Sequence, residues 1–237
     1  MDYRAPFYLQ LREIIRNKIE DGEFLPGTAI PSENELAETY GINRLTVRNA
    51  IDSLVNEGML KPVQGKGVYV LGARVDRDLD SLGGFTQTML RKNARPKTVT
   101  LTKSVRQAGG KYSQIFHIAP EDELYYIKRL CMAADEPCSL EELFVPRCVV
   151  PKLEGIDLNV FSMYEVYDFY GIELNRAYQT VDLTQLEQSD ARTLGVDSHL
   201  AVLLFECTSF DKAGRVIEFA RTYTRADKCV FHVKFHT

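Results

Sequence analysis

The 237-residue sequence has little that would build a disulfide framework or a metal site. Its five cysteines, Cys131, Cys138, Cys148, Cys207 and Cys229, are odd in number and lack Cys-x-x-Cys spacing. That rules out a paired scaffold and the usual zinc patterns, and reads them as small buried hydrophobes. The four histidines, His117, His199, His232 and His236, lie apart, with no His-Glu-x-x-His, Gly-x-Ser-x-Gly or nucleotide-binding loop near them. His232 and His236 are spaced like helix neighbours but fall in a segment that reads as strand and tail. Neither a metal, a cofactor nor a catalytic residue is expected. No stretch approaches about 18 uncharged apolar residues, and the start MDYRAPF has no secretory apolar region, so a soluble, cytoplasmic protein away from membranes is expected. Positive charge is also scarce. The net charge is −4, with nine Lys and Arg against ten Asp and Glu up to residue 75 and twenty against twenty-three beyond it. Protein-wide attraction to nucleic acid is thereby excluded, and any such contact must rest on a local patch.

What is present is enough apolar material for real cores: 45% hydrophobic residues, with twelve Tyr and twelve Phe. The length suits one large domain or two ordinary ones. Internal repeats and low-complexity runs are absent. From Pro6 the spacing of Tyr8, Leu11, Ile15 and Ile19 is helical, and Asp21-Gly22 ends it. The prolines of Leu25-Pro26-Gly27 and Ile30-Pro31 then keep the chain extended. Ser32 and Glu35 form a capping box that starts a second helix, carrying Leu36, Ala37 and Tyr40 and closed by Gly41. A third helix follows at Arg44 to about Glu57, with Val47, Ile51 and Leu54 on its inner face and Leu45, Arg48, Asn49 and Asp52 outward. Such an outward set is a poor solvent face and a good base-reading one. Two short β-rich runs around Gly65-Lys66-Gly67 complete a winged helix-turn-helix over residues 1–72.

These residues also carry a resemblance. Leu25-Pro26-Gly27, Pro31-Ser32-Glu33, Leu36-Ala37, Arg44-x-Thr46-Val47-Arg48, Ala50, Leu54, Glu57-Gly58 and Gly65-x-Gly67 resemble the DNA-binding domain of the GntR family of bacterial transcription factors. The resemblance implies binding to a double-stranded operator. The expected contact residues are Arg4, Ser32, Glu33, Arg44, Leu45, Thr46, Arg48, Asn49, Lys61, Gly65, Lys66 and Gly67. Arg44 and Arg48 would meet guanine or phosphate, Leu45 a thymine methyl, Thr46 a phosphate, and the glycine-lysine tip the minor groove.

Residues 73–82 alternate charges without apolar periodicity and read as a linker. Beyond them, 83–237 gives helices near 85–93, 112–117, 162–170 and 187–194. Strands are expected near 98–106, 123–133, 138–145, 173–183, 201–211, 216–224 and 230–235. Strands joined by tight turns argue for an antiparallel sheet carrying helices, so the fold class is α+β. Arg129, Ala133-x-Asp135-x-Pro137, Glu141, Pro146, Ser162-Met163-Tyr164, Leu194-Gly195, Asp211-x-x-Gly214, Glu218 and Arg225-x-Asp227 resemble the UTRA domain of the HutC subfamily of GntR regulators. That resemblance implies a chorismate lyase-like fold, homodimerisation through this domain, and a small-molecule effector of the sugar, sugar phosphate or carboxylate class. The effector positions it implies are Phe85, Thr86, Arg129, Glu141, Ser162, Tyr164, Glu218 and Tyr223. The chain departs from the subfamily twice. Cys131 stands where Arg-x-Arg would put a second arginine, and Thr224 stands where a tyrosine is usual, with Tyr223 one place earlier, which in a strand points to the other face.

The reading is a metabolite-controlled, sequence-specific DNA-binding transcription regulator, in the first place a repressor. The competing class, an enzyme of chorismate lyase-like fold acting on a small carboxylate or sugar, finds no catalytic constellation in the sequence.

Overall fold

The computed structural model describes residues 6–71, 96–133 and 135–227. Arg4, Phe85, Thr86, the linker at 73–82, the helix expected at 85–93, the strand expected at 230–235 and Cys229 lie outside the described residues. Two compact units emerge, Met1–Asp76 with Gly155–Gly171, and Arg77–Glu154 with Ile172–Thr237.

In the first unit, α1 (Phe7–Glu20) buries Leu11 and Ile15. Helix α2 (Glu33–Tyr40) starts at the expected capping box: Ser32 Oγ accepts from Glu35 N at 3.3 Å, and Glu35 Oε2 accepts from Ser32 N at 2.7 Å. Gly41 ends it at φ 64°, a left-handed conformation glycine adopts without a Cβ penalty. Helix α3 (Arg44–Asn56) is capped by Asn43, whose Oδ1 accepts from Thr46 N at 2.8 Å. The outward placement of Arg44, Leu45 and Arg48 follows from the inward one of Val47, Ala50, Ile51 and Leu54, all of which are buried. Strands β1 (Leu60–Val63) and β2 (Gly67–Val70) pair antiparallel, Leu60 opposite Val70 and Val63 opposite Gly67.

The sequence assigns 155–171 to the second domain, yet these residues pack with the winged domain. They include a short helix, α5 (Met163–Phe169), capped by Ser162. Gly27, at φ +81°, lies so close to this segment that a Cβ there would sit 2.9 Å from Ile156 Cγ2 and 3.2 Å from Phe169 Cε2.

Among the described residues, the second unit forms a six-stranded antiparallel sheet. Its strands are β3 (Pro96–Gln107), β4 (Glu123–Ala133), β5 (Glu136–Pro146), β6 (Leu174–Thr184), β7 (Val202–Asp211) and β8 (Val216–Thr224), in the order β3-β4-β5-β8-β7-β6. Side chains alternate between its faces. One face carries Leu124, Phe144 and Phe219 under α4 (Gly109–Phe116), and Leu140, Leu204 and Tyr223 beneath Ala191 and Leu194 of α6 (Gln188–Leu194). The opposite face carries Arg129, Glu141 and Thr222 on one rung. Of the cysteines, Cys131 and Cys138 are buried as expected and Cys207 is partly so, but Cys148 is exposed, since it lies in the turn that follows β5.

Phe144 is the centre of the α4 cluster, 2% exposed, with its ring 4.3 Å from that of Tyr112 and 5.3 Å from that of Tyr126. Replacing a buried phenylalanine by alanine removes both its transfer energy and its contacts, so Phe144→Ala is expected to cost about 3 to 5 kcal/mol. Urea unfolding followed by circular dichroism measures the loss.

Candidate nucleic-acid interface and effector face

The first turn of α3 presents its side chains outward: Leu45 is 67% exposed, and Arg44 and Arg48 are exposed beside it. Neither arginine hangs loose. Arg48 Nε donates to Glu33 Oε1 and its Nη2 to Glu33 Oε2, both at 2.9 Å, and Arg44 Nη2 reaches Glu33 Oε2 at 3.2 Å. The Arg48 hydrogen bond, joined by Arg44 and against the opposing effect of burial, holds the Glu33 carboxyl below its usual range. A guanidinium has five N–H groups in a fixed fork. Glu33 takes Nε–H and one hydrogen of Nη2, which leaves the Nη1/Nη2 edge free for the paired acceptors of a guanine or a phosphate.

Several expected contact residues also make contacts within the protein. Ser32 spends its hydroxyl on the α2 cap, and Thr46 Oγ1 donates to Asn43 Oδ1 at 3.0 Å. Glu33, an anion, holds both arginines. Asn49 is exposed on the outward face of α3. In the wing, Lys66 N donates to Val63 O at 3.0 Å to close the turn, with Gly65 at φ 73° and Gly67 at φ 113° on either side. Lys61 stands over the Phe161 ring at 5.3 Å and 3.9 Å from Glu165. Lys66 Nζ donates to Asp157 Oδ2 at 3.0 Å. No spacing in the sequence pointed to Asn43, Asp157 or Phe161. The last two act across about ninety residues of chain, which only the folded backbone can bridge.

Among the described effector positions, Arg129 and Glu141 come together. They sit opposite one another on β4 and β5, Arg129 Nε donates to Glu141 Oε2 at 2.8 Å, and Nη2 binds the same oxygen. Their side chains are only 12% and 14% exposed. Burial disfavours the charge of Arg129, and Glu141, with a smaller contribution from Glu218, more than restores it. Cys131, two residues along the same face, is a buried thiol pushed up to about 12, first by desolvation and then by the Glu141 charge, so it stays protonated. Ser162 and Tyr164 belong to the first unit, where Ser162 Oγ donates to Glu165 Oε2 at 2.9 Å and accepts from Glu165 N at 3.2 Å.

Tyr223 does not join them. It pairs with Leu140 and Leu204, whereas Arg129 and Glu141 share a rung with Thr222, so alternation turns Tyr223 to the face that carries the helices. There its hydroxyl donates to Glu142 at 3.4 Å, and burial, followed by the Glu142 charge, pushes it up to about 12. Thr224 takes the Arg129 face and is 4% exposed. The helix face also holds a polar network absent from the sequence reading. Lys128, Glu142, Arg221 and Glu206 lie along one rung of β4, β5, β8 and β7, with Lys128 Nζ on Asp190 at 2.6 Å and Arg221 Nε on Glu206 at 3.0 Å. Alternating charge is visible in the sequence only once the register is known.

The family model described as bacterial regulatory proteins, gntR family, matches residues 7–70, and the UTRA domain model matches residues 91–229. Over 227 residues the chain is 29% identical to the HTH-type transcriptional repressor NagR of Bacillus subtilis (strain 168), covering 95% of this chain and 93% of that one. It is 27% identical over 226 residues to the mannosyl-D-glycerate transport/metabolism system repressor MngR of Escherichia coli (strain K12), covering 95% and 94%. The crystal structure of PhnF from Mycobacterium smegmatis shares the fold, with a TM-score of 0.63 over 98% of this chain and 99% of that one at 22% identity.

Removing one partner of a buried ion pair strands the other charge, whereas removing both does not. Arg129→Met and Glu141→Leu are each expected to lose about 3 to 5 kcal/mol, and the double variant less than either alone. Urea midpoints of the four proteins form the test.

Proposed function

The chain belongs to the GntR family of bacterial regulatory proteins, with a UTRA effector domain of the HutC type, and on that premise we propose that it represses transcription by reading an operator through α3. It is a DNA-binding transcription regulator. The observation that carries the detailed reading is the first turn of α3: an exposed leucine between two arginines that share one carboxylate, on a helix whose opposite face is fully buried. A surface leucine at 67% exposure is costly in water and useful against a thymine methyl. Arg48 would read a guanine through its free edge while Arg44, nearer the helix start, serves base or phosphate. Asn49 and the wing glycines and lysines extend the contact. Arg4, outside the described residues, would add a phosphate contact.

The effector is a small carbohydrate-derived molecule, by this reading. Support comes from the naming of MngR for mannosyl-D-glycerate and from Arg129, Glu141 and Glu218, which offer both donors and acceptors to hydroxyl-rich ligands. Phe85 and Thr86, outside the described residues, are carried as further contacts by resemblance. With one arginine already paired to Glu141 and Cys131 in place of a second, the described face offers a phosphate less than an Arg-x-Arg strand would. The chain is intracellular on this account, since its target is genomic DNA, and no described helix is long and apolar enough to cross a membrane.

The working form is a homodimer, because a two-fold pair of recognition helices matches a palindromic site. Support comes from β6, an eleven-residue strand that, among the described residues, lies at the edge of the sheet and pairs with β7. Tyr178 (70%), Val181 (58%) and Leu183 (65%) are exposed on it. A long edge strand with exposed apolar side chains invites pairing with a second chain.

Two measurements test this. Selection from a random duplex pool should enrich a two-fold symmetric sequence. Arg48→Ala should then weaken binding to the selected duplex by one to two orders of magnitude, about the worth of a bidentate base contact, and binding to random duplex far less. Equal losses on both would assign Arg48 to phosphate. In sedimentation equilibrium, Val181→Lys should shift the protein from dimer toward monomer, and an unchanged mass would move the interface elsewhere.

A further inference from the structure

The two wing lysines that the DNA reading requires are both occupied, and by one segment. Asp157 is a fixed partner: its Oδ1 accepts from Asn159 N and Nδ2, each at 2.9 Å, which leaves Oδ2 aimed at Lys66 Nζ at 3.0 Å and Tyr69 Oη at 3.4 Å. Burial alone would raise the Asp157 carboxyl, but the Asn159 N–H and the Lys66 ammonium outweigh it and keep it ionised. Four residues on, Phe161 lies edge to face with Tyr69 at 5.8 Å, and Lys61 stands over its ring at 5.3 Å. Glu165 completes the set at 3.9 Å from Lys61. The segment is seated firmly, since Ile156 and Phe161 are each 1% exposed and Gly27 admits Ile156 and Phe169 where any side chain would collide.

We propose that residues 155–171 form a lock on the wing, in which Asp157 neutralises Lys66 while the aromatic ring of Phe161 and Glu165 hold Lys61, so that the wing lysines meet phosphate only once the lock releases. The inference rests on the reading that the wing touches DNA. An ammonium held by a carboxylate cannot also displace counterions from a phosphate, so the locked wing contributes little to affinity and nothing to salt dependence. The pair is partly solvated, with side chains 40% and 28% exposed, which keeps it weak enough to exchange a carboxylate for a phosphate. A lock of this strength tunes affinity severalfold.

The test uses the full chain without added metabolite and two DNA probes, a duplex selected from a random pool by the wild-type protein and a scrambled duplex of the same length. Asp157→Asn keeps the shape and the Asn159 contacts and should tighten binding to the selected duplex about two- to fivefold. It should also steepen the dependence of log K on log salt by about 0.9, one phosphate contact. Lys66→Ala should weaken binding, and in that background Asp157→Asn should add nothing. Glu165→Gln, which preserves the capping box, should give a smaller gain through Lys61 and serves as the second variant should Asp157→Asn unfold. If Lys66→Ala binds as wild type, the wing does not contact DNA and the lock falls with it. Should Lys66→Ala weaken binding while Asp157→Asn and Glu165→Gln leave affinity and salt slope unchanged, or should the Asp157→Asn gain persist without Lys66, the DNA reading stands and the lock alone is overturned.

Discussion

The carboxylate of Glu33 holds Arg44 and Arg48 at the start of α3, and the same pairing of a recognition cation with an acid recurs at Lys66 with Asp157, Lys61 with Glu165 and Arg129 with Glu141. A chain of net charge −4 has no spare positive field, so its cations must be aimed. Burial sorts these pairs into two kinds. The pairs on α3 and the wing are solvated, and each adds little to stability. Arg129–Glu141 is shielded, and there each charge is tolerated only because the other is present. The same chemical pairing therefore gives solvated pairs on the winged domain and a fixed polar platform in the sheet.

That platform depends on register. On the rung where Arg129 faces Glu141 the next strand offers Thr222, and one residue along, on the other face, Lys128, Glu142, Arg221 and Glu206 alternate in sign across four strands. A slip of one residue between β4 and β5 would exchange the two faces and bury unlike sets of charge. Opposite charges on neighbouring strands each favour the native pairing modestly, and four in a row make the correct register cheaper than its neighbours. The polar network thus fixes which residues share the Arg129 face and which support α4 and α6.

Much of this was legible in the sequence because it is local. The Ser32–Glu35 box, Gly41, the periodicity of Val47, Ile51 and Leu54, and the Gly65-Lys66-Gly67 tip each act within a few residues, and the described elements fall within three residues of the positions expected. The antiparallel sheet was legible from alternation and tight turns. Strand alternation also turned Tyr223 to the other face, although it was carried into the effector set by its nearness to a missing tyrosine. Two things were not legible. Asn43 as a cap was masked by the stronger signal of Arg44. The packing of 155–171 with the winged domain depends on contacts such as Gly27 with Ile156, and no periodicity reports a contact made at so great a sequence separation.

This last contact bears on how a regulator of this kind can respond at all. The chain passes between the two units at residues 76/77, 154/155 and 171/172, so the segment that grips the wing is tied at both ends directly to the sheet unit, by its junctions with Glu154 and Ile172. A ligand shifts an equilibrium only by its difference in affinity for the two states. A metabolite that favoured the gripped arrangement by tenfold would therefore hold the wing by about 1.4 kcal/mol, more than a solvated pair such as Lys66–Asp157 supplies by itself. The weakness of the surface pairs then becomes the condition for control: a wing clamped by a buried salt bridge would answer to neither operator nor effector.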